Sequence, residues 1–300
     1  MIKKEEKDIT QGTEIETPKI KKVLNTGRIK YYGKIISYIN IYMSLTEQEV
    51  EGSVDIKKFN FKCDDIIDPD IPNPLPGAEE GWFRMAIIGK SGSGKTNLLR
   101  CLTERGGKNK IYCKRFSNVF YISPSIKSMD KKPKLDETHF YNSLEKLPEI
   151  LERIQNEEDK DGRTLLIIDD CSHELKRDAN EDIKKLFQNN RHLGRPLLDD
   201  NGNQIESGSV SVIIIAQRLN NLPRQVRSQI THWCLYDPRH TKSELSTIFE
   251  ELIHCDKPIF NEILNRTYKT PYNFMFIDSN KSKIYNGFKK EFIISQKNYL

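Results

Sequence analysis

The sequence predicts an α/β protein, a mostly parallel central sheet flanked by helices. Three observations predict it. Short apolar runs recur from Trp82 onward, segments of helical periodicity lie between them, and several runs end in glycine, acidic or amide residues. Strands that are apolar throughout, without alternation, are buried on both faces, as in a parallel sheet covered on both sides. Ligands bind such sheets at the carboxyl ends of the strands.

Taken in order, residues 1 to about 30 are charged and irregular and read as a solvated tail. The stretch Ile29 to Phe61 is richer in Tyr and Ile, and periodicity leaves strand and helix both open. Residues 66–81 hold four prolines and read as an extended linker. The expected organisation is therefore a tail and small irregular segment, 1–60, before one domain, 61–300. Strands are expected at 83–89, 117–125, 163–170, 209–217 and 231–237. Helices are expected after residue 94, at 142–159 with Pro148 breaking or starting the main helix, at 179–191, and in SELSTIFEELIH and PIFNEILNRTY. DDNGNQIESG, 199–208, reads as an exposed turn, and 272–288 as a C-terminal hairpin.

Composition narrows the function classes. The 300 residues include 48 basic and 43 acidic side chains, a net charge of +5. That excludes a polycation, so any nucleic-acid contact requires a local basic surface. Twelve Tyr and thirteen Phe exclude a wholly disordered chain. No apolar run approaches the length of about 20 residues that spans a bilayer. The first residues hold no apolar core of the signal-peptide kind, so neither secretion nor membrane insertion is expected. Cys63, Cys101, Cys113, Cys171, Cys234 and Cys255 are scattered, with no CxxC pair. They read as small buried hydrophobes in a reducing compartment.

Gly89-Lys90-Ser91-Gly92-Ser93-Gly94-Lys95-Thr96 matches G-x-x-x-x-G-K-[ST], the Walker A phosphate loop, between an apolar strand and a helix. The glycines let the backbone curl around an anion. The helix that follows adds its positive end. Lys95 is placed for the β- and γ-phosphates of ATP, and the Thr96 hydroxyl for Mg²⁺. Leu165-Leu166-Ile167-Ile168-Asp169-Asp170 has the Walker B form. Asp169 is expected to hold Mg²⁺ through water, and Asp170 to orient or deprotonate the attacking water. Alone, such a pair is as often a loop start or helix cap. The intervening strand and the second acid indicate a P-loop NTPase of the translocase, helicase and AAA branch. An N-K-x-D motif and an L-S-G-G-Q signature, which would mark other branches, are absent.

Gln217 ends a strand where its amide can sense the γ-phosphate or the attacking water, although a solvated strand-end glutamine is the plainer alternative. Arg191, His192 and Arg195 lie between the acidic strand and that strand; Arg218, Arg224 and Arg227 follow it. An arginine can stabilise transition-state charge on a neighbouring subunit, contact DNA phosphate or stay in water. Arg191 is the first choice for the role in trans and Arg227 the second.

The loop FRMAIIGKSGSGKT, the acidic strand LLIIDD, the Arg191–His192 pair, the strand IIIAQ and the following LPRQVRSQ come in this order at these spacings. Together they resemble the poxvirus-type DNA-packaging ATPases of the FtsK/HerA superfamily, over about residues 60–290. The resemblance implies a RecA-like core and ATP hydrolysis at subunit boundaries of a homo-oligomeric ring, commonly a hexamer. It also implies movement of double-stranded DNA, without sequence specificity, into a capsid, in the cytoplasm of an infected cell or in the virion. Many relatives carry Glu where this chain has Asp170. A cellular or plasmid DNA pump and a non-hydrolysing P-loop scaffold are the alternatives.

Overall fold

The computed structural model describes residues 29–31, 34–36, 41–50, 71, 73–77, 82–103, 111–112, 115–116, 118–129, 139–156, 163–175, 181–194, 197–199, 201–206 and 208–298. The expected tail, most of the proline-rich linker, Cys63, Cys113 and Arg195 lie outside them. The chain divides into two compact units, 1–44 with 295–300, and 45–294. In the first, β1 (Ile29–Tyr31) pairs antiparallel with β2 (Lys34–Ile36).

The second unit is organised by one sheet. Along the chain it takes β3 (Ile41–Glu49), β4 (Arg84–Ile88), β5 (Asn118–Ile122), β6 (Phe140–Tyr141) and β7 (Arg163–Asp169). A separate antiparallel pair, β8 (Leu197–Leu198) and β9 (Gln204–Glu206), comes next. The sheet resumes with β10 (Ser209–Ala216), β11 (His232–Tyr236), β12 (Phe274–Asp278), β13 (Lys283–Asn286) and β14 (Lys290–Asn298). The strand order is β3-β14-β13-β12-β11-β4-β10-β7-β5-β6. From β11 to β6 every neighbouring pair is parallel. The expected C-terminal hairpin is β12–β13, and it extends the sheet antiparallel from β11.

The helices are α1 (Lys95–Thr103), α2 (Leu147–Asn156), α3 (Ser172–Leu175), α4 (Glu181–Asn189), α5 (Arg224–Arg227), α6 (Lys242–Glu251) and α7 (Lys257–Thr267). Pro148 is the second residue of α2, a position where its missing N–H costs no helical bond. The turn between β8 and β9 is built by Asp199, whose side chain accepts from the amides of Asn201 (2.9 Å) and Asn203 (2.7 Å). Gly202 supplies the left-handed residue that turn needs, at φ 80°.

Alternation sorts the apolar strands onto two faces. Phe83, Met85, Ile87, Leu165, Ile167, Ile213 and Ile215 share a core with Leu98, Leu99 and Leu102 of α1. Their neighbours Ala86, Ile88, Leu166, Ile168, Val212 and Ile214 point the other way and are buried as well. That two-sided burial is why these strands carry no polar alternation. Cys101, Cys171 and Cys234 are buried within this unit. No described helix is long and apolar enough to cross a membrane.

An aromatic cluster joins the antiparallel strands to this core. The Phe276 ring lies 5.0 Å from Phe288, 5.8 Å from Tyr285 and 5.8 Å from the His232 ring, fully buried. Phe276→Ala is expected to cost about 3–5 kcal/mol of stability, read from chemical denaturation. A loss below ~1 kcal/mol would show that the hairpin is not packed as an integral part of the core.

Candidate active site

The site is built where three parallel strands end side by side. Ile215 of β10 is level with Ile87 of β4 on one side and with Asp169 of β7 on the other. The residues that follow these strands, Gly89, Asp170 and Gln217, therefore emerge together at the carboxyl edge. Two backbone bonds tie them further. The Gly89 amide donates to Ala216 O at 3.2 Å, and the Asp170 amide to Ile215 O at 3.2 Å.

Residues 89–96 form a tight loop into α1. Gly92 and Gly94 have φ of 74° and 106°, a region that side chains rarely adopt. Gly89 is required for space. A Cβ there would lie 2.6 Å from Tyr236 Cβ and 2.7 Å from Ser93 Oγ. Tyr236, at the end of β11, packs beneath the loop and brings its hydroxyl within 3.5 Å of the position a Gly94 Cβ would take. The Ser93 amide closes a turn onto Lys90 O at 3.2 Å, and Ser93 Oγ is buried without a hydrogen-bond partner. The first-turn amides of α1 have no acceptor within the helix and leave its positive end open. Lys95 Nζ donates to Gly89 O at 2.6 Å and Lys90 O at 3.0 Å, folded back over the loop. Burial lowers the Lys95 ammonium below the usual lysine range, while Asp169 and Asp170 pull it back up. A cradle of this shape, with a lysine already close to two carboxylates, fits a nucleotide polyphosphate carrying a divalent cation.

Asp169 lies at the buried end of β7, on the α1 side of the sheet. Tyr121 of β5 donates its hydroxyl to Asp169 Oδ2. Burial raises the Asp169 carboxyl above the usual carboxylate range; Asp170 adds to this, and the Tyr121 hydroxyl and Lys95 oppose it. The exposed Thr96 hydroxyl and the two carboxylates offer hard oxygen donors, the chemistry that suits Mg²⁺, which keeps several of its waters.

Asp170 is exposed and has a left-handed backbone, φ 55°, which Asp tolerates better than most residues. Its carboxylate receives the Gln217 side-chain amide, with Nε2 at 3.3 Å from Oδ1 and 3.2 Å from Oδ2. The structure thus brings together Gly89 through Thr96, Asp169, Asp170 and Gln217.

The two arginines lie elsewhere. Arg191 sits exposed in a 3₁₀ turn, Asn190–His192. That turn is fastened to the amino ends of the strands. Asn190 Nδ2 donates to Val210 O at 3.0 Å, and Arg84, the first residue of β4, donates to Asn190 Oδ1 at 3.4 Å. Arg191 is therefore at the edge opposite the loop, about a strand's length away. Arg227 is committed within its own chain. Its Nε and Nη2 pair with Glu251 at 2.8 and 2.7 Å, and Nη1 donates to Leu222 O at 2.7 Å.

Tyr121 and Tyr236 were not foreseen as part of the site. A tyrosine at the polar end of a buried strand signals that its hydroxyl needs a partner. Which partner depends on strand order, which the sequence does not reveal.

Against known protein families, the NACHT domain model matches residues 84–232, from the first residue of β4 to the first of β11. The chain is 23% identical over 216 residues to "Uncharacterized protein 015R" of Frog virus 3 (isolate Goorha). That alignment covers 67% of this chain and spans 58% of the relative's own length. Among solved structures, the genome packaging NTPase B204 from Sulfolobus turreted icosahedral virus 2 with ATP-gammaS is similar at TM-score 0.49 and 17% identity. It covers 68% of this chain and 95% of that one. The EccC ATPases 2 and 3 of Thermomonospora curvata give a TM-score of 0.40 at 13% identity, over 73% and 37% of the two chains. The matched span and the loop geometry agree on the P-loop NTPase fold, with the loop 89–96, Asp169, Asp170 and Gln217 at the carboxyl edge of its sheet.

Proposed function

We propose that this protein is an ATP-hydrolysing motor that moves double-stranded DNA, packaging a viral genome into its capsid. The observation that carries the hydrolytic part is the contact of Gln217 with both oxygens of Asp170, beside the phosphate loop. Asp170 is the general base toward the attacking water. Gln217 holds its carboxylate in place and reports the γ-phosphate. Lys95 and the loop amides neutralise the phosphates. Thr96 and Asp169 would hold Mg²⁺, which when bound would neutralise the charge that develops on the phosphates. Tyr121 keeps Asp169 oriented.

The motor part rests on the motif order set out above, and on the position of Arg191. From the opposite edge of the sheet that side chain does not reach its own chain's loop, and we assign it to the nucleotide of another subunit in a homo-oligomeric ring. Arg227 is the weaker candidate, since Glu251 must first release it. The DNA grip is assigned to lysines after β5. Lys127 is exposed there; Lys131, Lys132 and Lys134 lie outside the described residues. The site of action is the assembly site in the cytoplasm of the infected cell.

Two experiments test this reading. Asp170→Asn is expected to bind Mg·ATP normally and to hydrolyse it about 10²–10⁴-fold more slowly. Asp169→Asn is expected instead to weaken metal-dependent binding, in the same fluorescent-nucleotide titration. Equal loss of binding in both variants would refute the division of roles.

Random duplex DNA is expected to stimulate hydrolysis, and the stimulation should fall steeply with salt. A motor indifferent to sequence grips phosphates, and such binding releases counterions. ATPase rates at several salt concentrations with random and defined duplexes decide it. Stimulation confined to one sequence, or insensitive to salt, would return the protein to a P-loop enzyme without a DNA substrate.

A further inference from the structure

The turn that leads into β12 does not carry the residue its geometry favours. It is closed by the Asn273 amide, which donates to Thr270 O at 3.3 Å, so Pro271 and Tyr272 are its two central residues. Tyr272 has φ 62°, in the left-handed region. A proline first and a positive φ second mark a type II turn, whose second central position glycine or asparagine normally fills. Here a large aromatic residue fills it, and the core gains nothing in return, since Tyr272 is 74% exposed. Backbone strain of this kind persists where the rest of the structure holds it, and it gathers at functional sites. The turn is held firmly. Asn273 Nδ2 donates to Thr267 O and to Asn286 Oδ1, each at 2.6 Å. A fixed backbone thus presents the Tyr272 ring to solvent.

Register gives the place of this turn. Phe274, the first residue of β12, pairs with Tyr236, the last of β11, and their rings lie 5.5 Å apart. Tyr236 is the residue that packs beneath Gly89 and Gly94 of the phosphate loop. β12 runs antiparallel to β11, so the turn before β12 stands at the carboxyl edge, the edge of the loop. In the strand order β12-β11-β4-β10-β7 it is two strands from β4, about 10 Å. It lies on the side away from Gln217 and Asp170.

The chemistry proposed for the site fixes which way a nucleotide would lie. In phosphoryl transfer the attacking and leaving oxygens are roughly in line, on opposite sides of the γ-phosphate. Asp170 and Gln217 take the water on the side of β10 and β7. The leaving diphosphate and its nucleoside then extend the other way, over the ends of β11 and β12, where Tyr272 presents its ring.

We propose that Tyr272 is the nucleobase contact of the site, its ring stacked on the base of the nucleotide whose phosphates the loop holds. Stacking needs only a π-face, so the contact adds affinity for any nucleoside triphosphate and does not itself select adenine. The proposal rests on the nucleotide reading of the loop and on the side assigned above to the attacking water.

The test is isothermal titration calorimetry on the full-length protein with Mg·ATP, Mg·GTP and inorganic tripolyphosphate with Mg²⁺, and thermal melting as a folding control. Tyr272→Ala is expected to raise Kd for Mg·ATP and Mg·GTP about tenfold, as one lost stack does, and to leave Kd for tripolyphosphate within about twofold of wild type. Tyr272→Phe keeps the ring and is expected to bind Mg·ATP within about twofold of wild type. Tyr272→Gly removes the ring and relieves the left-handed backbone. It is expected to melt no lower than wild type and to show the same selective loss, so it decides the question if Tyr272→Ala is destabilised.

Unchanged ATP affinity in the folded Tyr272→Ala and Tyr272→Gly variants overturns the proposal. So does an equal loss for ATP and tripolyphosphate, which would put the effect in the loop and not at the base. If the wild type binds neither ATP nor tripolyphosphate, or if Lys95→Ala binds both as the wild type does, the nucleotide reading of the loop fails first, and the proposal fails with it. That result is distinct from a loop that binds tripolyphosphate and Tyr272 variants that still hold ATP, which refutes the base contact alone.

Discussion

Everything at the carboxyl edge depends on the register of β10. Ile215 pairs with Ile87 across one ladder and with Asp169 across the other, so the phosphate loop and the acidic pair stand at one level with β10 between them. A slip of one residue would turn every side chain of β10 to the other face of the sheet. Burial on both faces, with all eight residues of β10 in the core, makes that slip prohibitively costly. The position of Gln217 against Asp170 is therefore set first by hydrophobic packing. Its polar contacts refine a geometry that the sheet has already imposed.

The loop is supported in the same indirect way. Its glycines permit the curl, but Tyr236 from β11 determines how closely the curl sits on the sheet. Leu235 of β11 pairs with Ile88, the residue before the loop, so the tyrosine arrives beneath Gly89 by register. Lys95 lies close enough to Asp169 and Asp170 to feel both charges, and its burial opposes the same ammonium charge. On the function proposed above, a polyphosphate and its cation would enter a site where cationic and anionic groups are already fixed a short distance apart. Little reorganisation would be left for the moment of reaction, which is what electrostatic catalysis requires.

The parallel half of the sheet was legible in the sequence because each of its strands is a continuous apolar run with a chemical mark at its end. Gly89, Asp169, Asp170 and Gln217 declare themselves by residue type at strand ends. The antiparallel edge was only partly legible. The hairpin of β12 and β13 shows its alternation, but β3 lies in a Tyr- and Ile-rich stretch whose periodicity leaves strand and helix both open, and β14 carries no chemical mark at its end. These two strands are joined through pairs such as Lys290 with Glu47 and Glu49, at 3.8 and 3.5 Å. The commitment of Arg227 to Glu251 was not legible at all. The partners are 24 residues apart on separate helices, and nothing local distinguishes Arg227 from Arg224.

The two edges of the sheet differ in charge for a structural reason. At the amino edge Arg84 is buried and bonds to neutral acceptors, Asn190 Oδ1 and Gln229 Oε1, with its guanidinium 4.7 Å from the centre of the Trp82 ring. Among the described residues no carboxylate pairs with it. Burial first, and then the nearby Arg191, lower its pKa to about 10. Two guanidinium groups are thus held close together, one buried as a structural tie and one exposed. An anion reaching Arg191 would relieve the repulsion that Arg84 feels from it. At the carboxyl edge Asp169 and Asp170 stand beside the loop, so the phosphates of the proposed nucleotide would need a cation to accompany them. In the ring proposed above, a phosphate at the carboxyl edge of one copy and an arginine from the amino edge of the next would meet with opposite charges.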